Sequence, residues 1–273
     1  MRFVKSLVLT CSLMTTLLCS RASSQKDSSD ALHESLIVKD ARTAWDNGVQ
    51  ILTAPLHFNH REWIETGAYV GGTVLFFAVD NSARPIALRN RSHWGDNMSS
   101  VGTDYGNAVY AISLAGGLYG GGWILQNNDV RETGLMLFES LAFSGIATNV
   151  LKSIAGRSRP FLEEGPFRYN GFQFKEETTS LPSGHSTVAF AMSSVLSSQL
   201  NNTWATISLY SLATLTAASR VYNDEHWVSD TFLGAVIGDV IGKAVVRLHQ
   251  PRDGRAEIRI SPSLDGLKAE LIF

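Results

Sequence analysis

Ser180-Leu181-Pro182-Ser183-Gly184-His185-Ser186-Thr187 runs without a break into the apolar residues 188–196, and that junction decides how the chain is read. Proline, serine and glycine make a turn, and Ser183 is a good N-cap for a helix that starts at Gly184. The open N–H groups of a helix start attract anions, and glycine lets a ligand come close to the backbone. His185 would stand beside such an anion. Taken alone, the tetrapeptide 182–185 is equally a capped helix with an incidental histidine.

Working outward adds cations and a second histidine. Upstream, Lys152 is followed seven residues later by Arg159-Pro160, with Gly156 marking a helix end between them. Lysine and arginine neutralise a phosphate as a point charge and a planar fork respectively. Downstream, Ser219-Arg220 closes one apolar stretch and His226 opens the next, with Asp230 four residues on. On a helix, His226 and Asp230 share a face. The carboxylate can accept from Nδ1–H and leave Nε2 free as a nucleophile. Each fragment also has an ordinary reading, as a cation answering a helix dipole or as a surface ion pair. Together, three cations would repel a divalent metal while serving an oxyanion. The chain carries no Cys-x2-Cys or His-Glu-x2-His pattern. The expected chemistry is metal-free phosphoryl transfer with no cofactor.

In order, Lys152-x6-Arg159-Pro160, Pro182-Ser183-Gly184-His185 and Ser219-Arg220-x5-His226-x3-Asp230 resemble the three-part motif of the type 2 phosphatidic acid phosphatase superfamily. That superfamily includes bacterial acid phosphatases, lipid phosphatases and vanadium haloperoxidases. The resemblance covers about residues 63–249. It implies that Lys152, Arg159, Ser183, Gly184 and Arg220 cradle the phosphate. It further implies that His226 forms a phosphohistidine, that Asp230 orients it, and that His185 protonates the leaving oxygen.

The expected fold is an all-α bundle of about six core helices, at 63–79, 107–126, 132–155, 184–199, 203–219 and 228–248. An amphipathic helix over 30–53 precedes it and a β-hairpin over 251–273 follows. An up-and-down arrangement would bring the active-site fragments to one end. The 273 residues, 44% hydrophobic with formal net charge −2, suit one substantial core and give no electrostatic case for nucleic acid. Residues 1–22 read as a cleavable leader, with Arg2 and Lys5 before an apolar run. Residues 23–62 then form a linker and the amphipathic helix, 63–250 the bundle. Cys11 and Cys19 both fall in the leader, so no disulfide is expected.

The apolar runs are short or interrupted by Glu139, Asp239 and Lys243, and a bilayer span needs about 20 apolar residues. The expectation is therefore a periplasmic or secreted phosphatase, at most membrane-associated, acting on a phosphomonoester or pyrophosphate. Its partner would be a phosphorylated lipid or small ester. The alternatives are an integral-membrane lipid or isoprenyl pyrophosphate phosphatase, a vanadate-dependent haloperoxidase, or an envelope protein that has lost its chemistry.

Overall fold

Eight α-helices occur among the residues that the computed structural model describes, which are 26–172, 174–250, 257–263 and 266–272. They are α1 (Lys26–Thr53), α2 (His60–Arg89), α3 (His93–Tyr105), α4 (Ala108–Ile124), α5 (Asn128–Ala155), α6 (Gly184–Leu200), α7 (Thr203–Tyr222) and α8 (Val228–His249). Two strands, Glu257–Ser263 and Gly266–Ile272, pair antiparallel after them. The chain divides into two units, residues 1–44 and 45–273. The expected leader at 1–22 lies outside the described residues.

The helix ends follow local chemistry. Asn59, Ser92, Asn107, Asn127, Ser183 and Asn202 each accept a backbone N–H as N-cap, satisfying donors that the first turn leaves open. Gly156 closes α5 with φ +58, a left-handed geometry that suits glycine. Lys152 thus sits in the last turn of α5 and Arg159 in the loop beyond, as expected.

The bundle is all-helical, as the periodicity implies, but two details differ. The helix expected over 63–79 continues to Arg89, through Pro85. A charged residue following the apolar run looks like a stop, yet Asp80 is buried against partners from two other segments and the helix carries on. The second difference is α3, whose polar composition gave no helical period. It is held by close approach: a Cβ at Gly102 would lie 2.7 Å from the Leu215 carbonyl oxygen of α7.

A buried cluster of Met136, Leu137, Leu141, Met192, Val195, Val245 and Val246 forms the apolar core. Small residues are buried with it: Ser140, Ser144, Thr187, Ser193, Ser194 and Thr216, beside Ala111, Ala115, Ala189 and Ala191. Large apolar residues face outward, among them Val74, Leu75, Ile86, Val109, Ile112, Ile146, Val150 and Ile207, with Leu75 73% exposed. Small residues let backbones touch. α8 lies on α6 along Gly234, Gly238 and Gly242, where added Cβ atoms would come within 2.4 Å of Ser183 O, 2.2 Å of Thr187 O and 1.8 Å of Ser194 Oγ. This is the small-residue packing that holds helices together without a hydrophobic driving force.

Gly238→Ala is expected to destabilise the bundle by at least the roughly 1–3 kcal/mol typical of overpacking, because the obstacle is backbone. Gly71→Ala in α2, where a Cβ meets nothing within 4 Å, should instead be neutral or stabilise by about 0.5–1 kcal/mol. Thermal unfolding of the two variants in detergent checks this contrast.

Candidate active site

The ends of α5 and α7 and the starts of α6 and α8 meet at one end of the bundle. Ser183 N donates to Asp230 O over 2.9 Å, tying the start of α6 to α8. The Lys152 ammonium donates to Thr179 O, and its Cε lies 3.9 Å from where a Gly184 Cβ would be. His185 sits within electrostatic reach of Lys152, Arg159 and Arg220. All eight residues singled out in the sequence thus converge.

Ser183 is fully buried, and the first N–H groups of α6 open beside Lys152. Arg220 donates to Thr103 Oγ1 of α3 over 3.3 Å. Its Nε, buried, has no partner among the described residues, nor does Ser186 Oγ. Unpaired buried donors are costly, and a phosphate oxygen would satisfy them. Arg159 donates to Glu176 O over 2.9 Å and pairs with Glu225 and Glu176.

His226 is buried in the loop before α8. Its Nδ1 is 3.6 Å from Asp230 Oδ2, too far for a direct bond. Ser180 Oγ stands between, 3.3 Å from Nδ1 and donating to Asp230 Oδ2 over 2.5 Å. The relay runs from Nδ1–H to the Ser180 hydroxyl to the carboxylate, and Nε2 is left for chemistry. Burial pushes the His226 pKa down to about 3. Asp230 opposes that shift, while the Lys152 and Arg159 charges add to it. The imidazole is therefore neutral.

The largest surprise lies inside the spacer of the first motif. Arg157 is completely buried and binds both carboxylates of the site region. Its Nη1 donates to Asp230 Oδ1 over 2.5 Å and to Ser229 Oγ over 2.7 Å; Nη2 donates to Asp80 Oδ2 over 2.8 Å. Nε donates to Pro166 O, and the guanidinium lies over the rings of Phe77 and Trp227. Asp80 also takes Ser229 N and Oγ. Asp230 thus has both oxygens engaged, one by Arg157 and the other by Ser180 and the Trp227 N–H. Sequence reading passed over Ser180, Arg157 and Asp80. The available signals were an arginine two residues before Arg159 and a carboxylate interrupting an apolar run.

An apolar groove of about 440 Å³ opens between α4, α5 and α6, lined by Ile112, Phe138, Leu141, Ala142 and Val188. Lys152, Gly184 and His185 stand in its wall.

Residues 133–253 match the family model of the PAP2 superfamily. Over these residues the chain is similar to that superfamily, in agreement with the motif resemblance. Among curated PAP2 relatives, a lipid A 1-phosphatase of Porphyromonas gingivalis is 26% identical over 179 residues, covering 64% of this chain and 36% of that protein. A lipid A 1-phosphatase of Rhizobium etli is 32% identical over 114 residues, covering 40% and 47%. The chain thus spans about a third to a half of the length of these relatives. A solved transmembrane PAP2-type phosphatidylglycerolphosphate phosphatase from Bacillus subtilis shares the fold, with TM-score 0.54 at 20% identity over 69% of this chain and 98% of that one. No group of three or more His, Cys, Asp or Glu residues able to hold a metal occurs among the described residues.

Removing one partner from a buried ion pair costs about 3–5 kcal/mol. Arg157→Ala is expected to lower stability by that order and to abolish phosphatase turnover. Asp80→Asn, remote in sequence from every motif residue, should lower turnover at least about tenfold. Unfolding and turnover measured on the same detergent-solubilised samples check both.

Proposed function

We propose that the chain is an integral-membrane phosphatase that releases phosphate from a lipid through a covalent intermediate on His226. The observation that carries this is the meeting of a cationic cradle suited to phosphate with an apolar groove at one end of a bundle that presents many large apolar side chains outward. Lys152, Arg159, Arg220 and the start of α6 at Ser183-Gly184 hold the phosphoryl oxygens. Before substrate binds, His185 is neutral, because burial and the three cations push its pKa down to about 4. It takes up a proton with the dianionic substrate. His226 Nε2 attacks phosphorus, the bond to the leaving oxygen breaks, and His185 gives that oxygen its proton. Water then attacks the phosphohistidine, His185 takes its proton, and phosphate leaves. Asp230, through Ser180, stabilises the imidazolium that forms.

An integral-membrane site accounts for more of the structure than the periplasmic or secreted enzyme expected from the sequence. The three interrupting charges are paired. Glu139 takes Asn47 over 2.8 Å and His249 over 3.1 Å, while Asp239 takes Tyr210 over 2.5 Å and Lys243 over 2.8 Å. An unpaired charge in a span costs about 2.5–3.5 kcal/mol on insertion scales, and pairing offsets it. By length and hydropathy alone, one described helix, Asn128–Ala155, is able to cross a bilayer. The large apolar residues exposed on the neighbouring helices offer a surface that lipid would cover. A lipid chain would lie in the groove with its phosphate against Lys152 and His185, consistent with the lipid phosphatases among the relatives.

Three results are expected. The protein stays in the membrane pellet after alkaline carbonate, and its release without detergent would contradict the membrane reading. His185→Ala loses roughly 10²–10⁴-fold on an alkyl phosphate, and clearly less on a nitrophenyl phosphate whose leaving group needs no proton. Because His226 is neutral down to about 3, the first turnover should not weaken as pH falls through the ordinary histidine range near about 6.5. A single-turnover pH profile with nitrophenyl phosphate checks this last point.

A further inference from the structure

Glu225 stands directly before the nucleophile, and its carboxylate occupies the cradle itself. It is ion-paired with Arg159 Nη1 and lies 3.8 Å from Arg220 Nη2, so it faces both forked cations at once. Glu176, which is 84% exposed and reaches Arg159 over 3.2 Å, is a rim partner by comparison. The loop that presents Glu225 is pinned. Arg84 of α2 grips Asp224 with two bonds, of 2.8 and 2.9 Å, and Asp224 sits at φ +62. Glu225 N and His226 N both donate to Arg220 O. A carboxylate across two guanidiniums has the charge and the acceptor geometry of a bound phosphate.

We infer that Glu225 is an internal ligand of the cradle that an incoming phosphate must displace, and that it selects dianionic terminal phosphates over monoanionic phosphodiesters. This role rests on the phosphate cradle proposed above. At a membrane surface, phosphodiester head groups are in large excess, and three cations with little water around them would hold any phosphate oxygen offered. Glu225 cancels one of the three charges. A diester then exchanges one monoanion for another and gains little, whereas a terminal phosphate brings a second charge and wins the site. Two properties follow: phosphodiester lipids do not clog the enzyme, and the product phosphate is released more readily.

The test compares full-length wild type and Glu225→Gln in detergent micelles by calorimetry with inorganic phosphate, with and without phosphatidylglycerol, a phosphodiester lipid, in the micelle. The variant should bind phosphate roughly tenfold or more tightly, the worth of one charge-assisted contact. Phosphatidylglycerol should compete with phosphate in the variant and not in wild type. Equal or weaker phosphate binding by the variant, or no new competition, overturns the inference while leaving the cradle standing. Failure of wild type and variant alike to bind phosphate overturns the cradle, and this role with it. Should Glu225→Gln not fold, Glu225→Ala is judged by the same criteria.

Discussion

The bond from Arg157 to Asp230 is the constraint on which the rest of the site depends. Arg157 sits at zero exposure between two carboxylates from different helices. A guanidinium so placed needs most of its donors used, because desolvating a charge costs several kcal/mol. Here the loop carbonyl of Pro166, Ser229 and both aspartates take four of the five N–H donors, and the rings of Phe77 and Trp227 lie against the guanidinium. One interaction therefore fixes α2, the loop after α5 and the start of α8 in a single geometry. The orientation of His226 follows, since Asp230 sets Ser180 and Ser180 sets the imidazole. The same contacts that join these elements thus orient the His226 imidazole.

The bundle around that point combines an apolar cluster with close backbone contact. Glycine, alanine, serine and threonine line the helix crossings, and backbones approach until no Cβ would fit at Gly234, Gly238 or Gly242. Such crossings make a rigid frame, and rigidity is what a preorganised electrostatic site requires. They also leave the bulky aliphatic residues facing out. In water that surface would drive association; in lipid it is the matching face. The groove beside His185 then connects the lipid phase to the cradle.

Much of this was legible in the sequence, for reasons that are local. The cap at Ser183, the stop at Gly156 and the i, i+4 relation of His226 and Asp230 depend on neighbours within a few residues, so composition and spacing reveal them. Arg157 and Asp80 are 77 residues apart, and nothing in either local sequence names the other. Ser180 looked like a turn residue because its partners, His226 and Asp230, come from the far end of the chain. The direction in which the apolar faces point was not legible for a different reason. Apolar periodicity finds the face that avoids water, and it cannot distinguish a face turned to a core from one turned to lipid. Glu139, Asp239 and Lys243 looked like interruptions because their partners are on other helices or one turn away.

The most direct test of the account is the site of the phosphate during turnover. Protein quenched while hydrolysing a lipid phosphate in micelles, digested without acid, can be mapped by tandem mass spectrometry. The account predicts phosphate on the imidazole of His226, and its accumulation in His185→Ala given nitrophenyl phosphate, whose leaving group needs no proton, because hydrolysis of the intermediate is then the slowed step. Phosphate on any other side chain, or product formed with no phosphoprotein detectable in that variant, would contradict it.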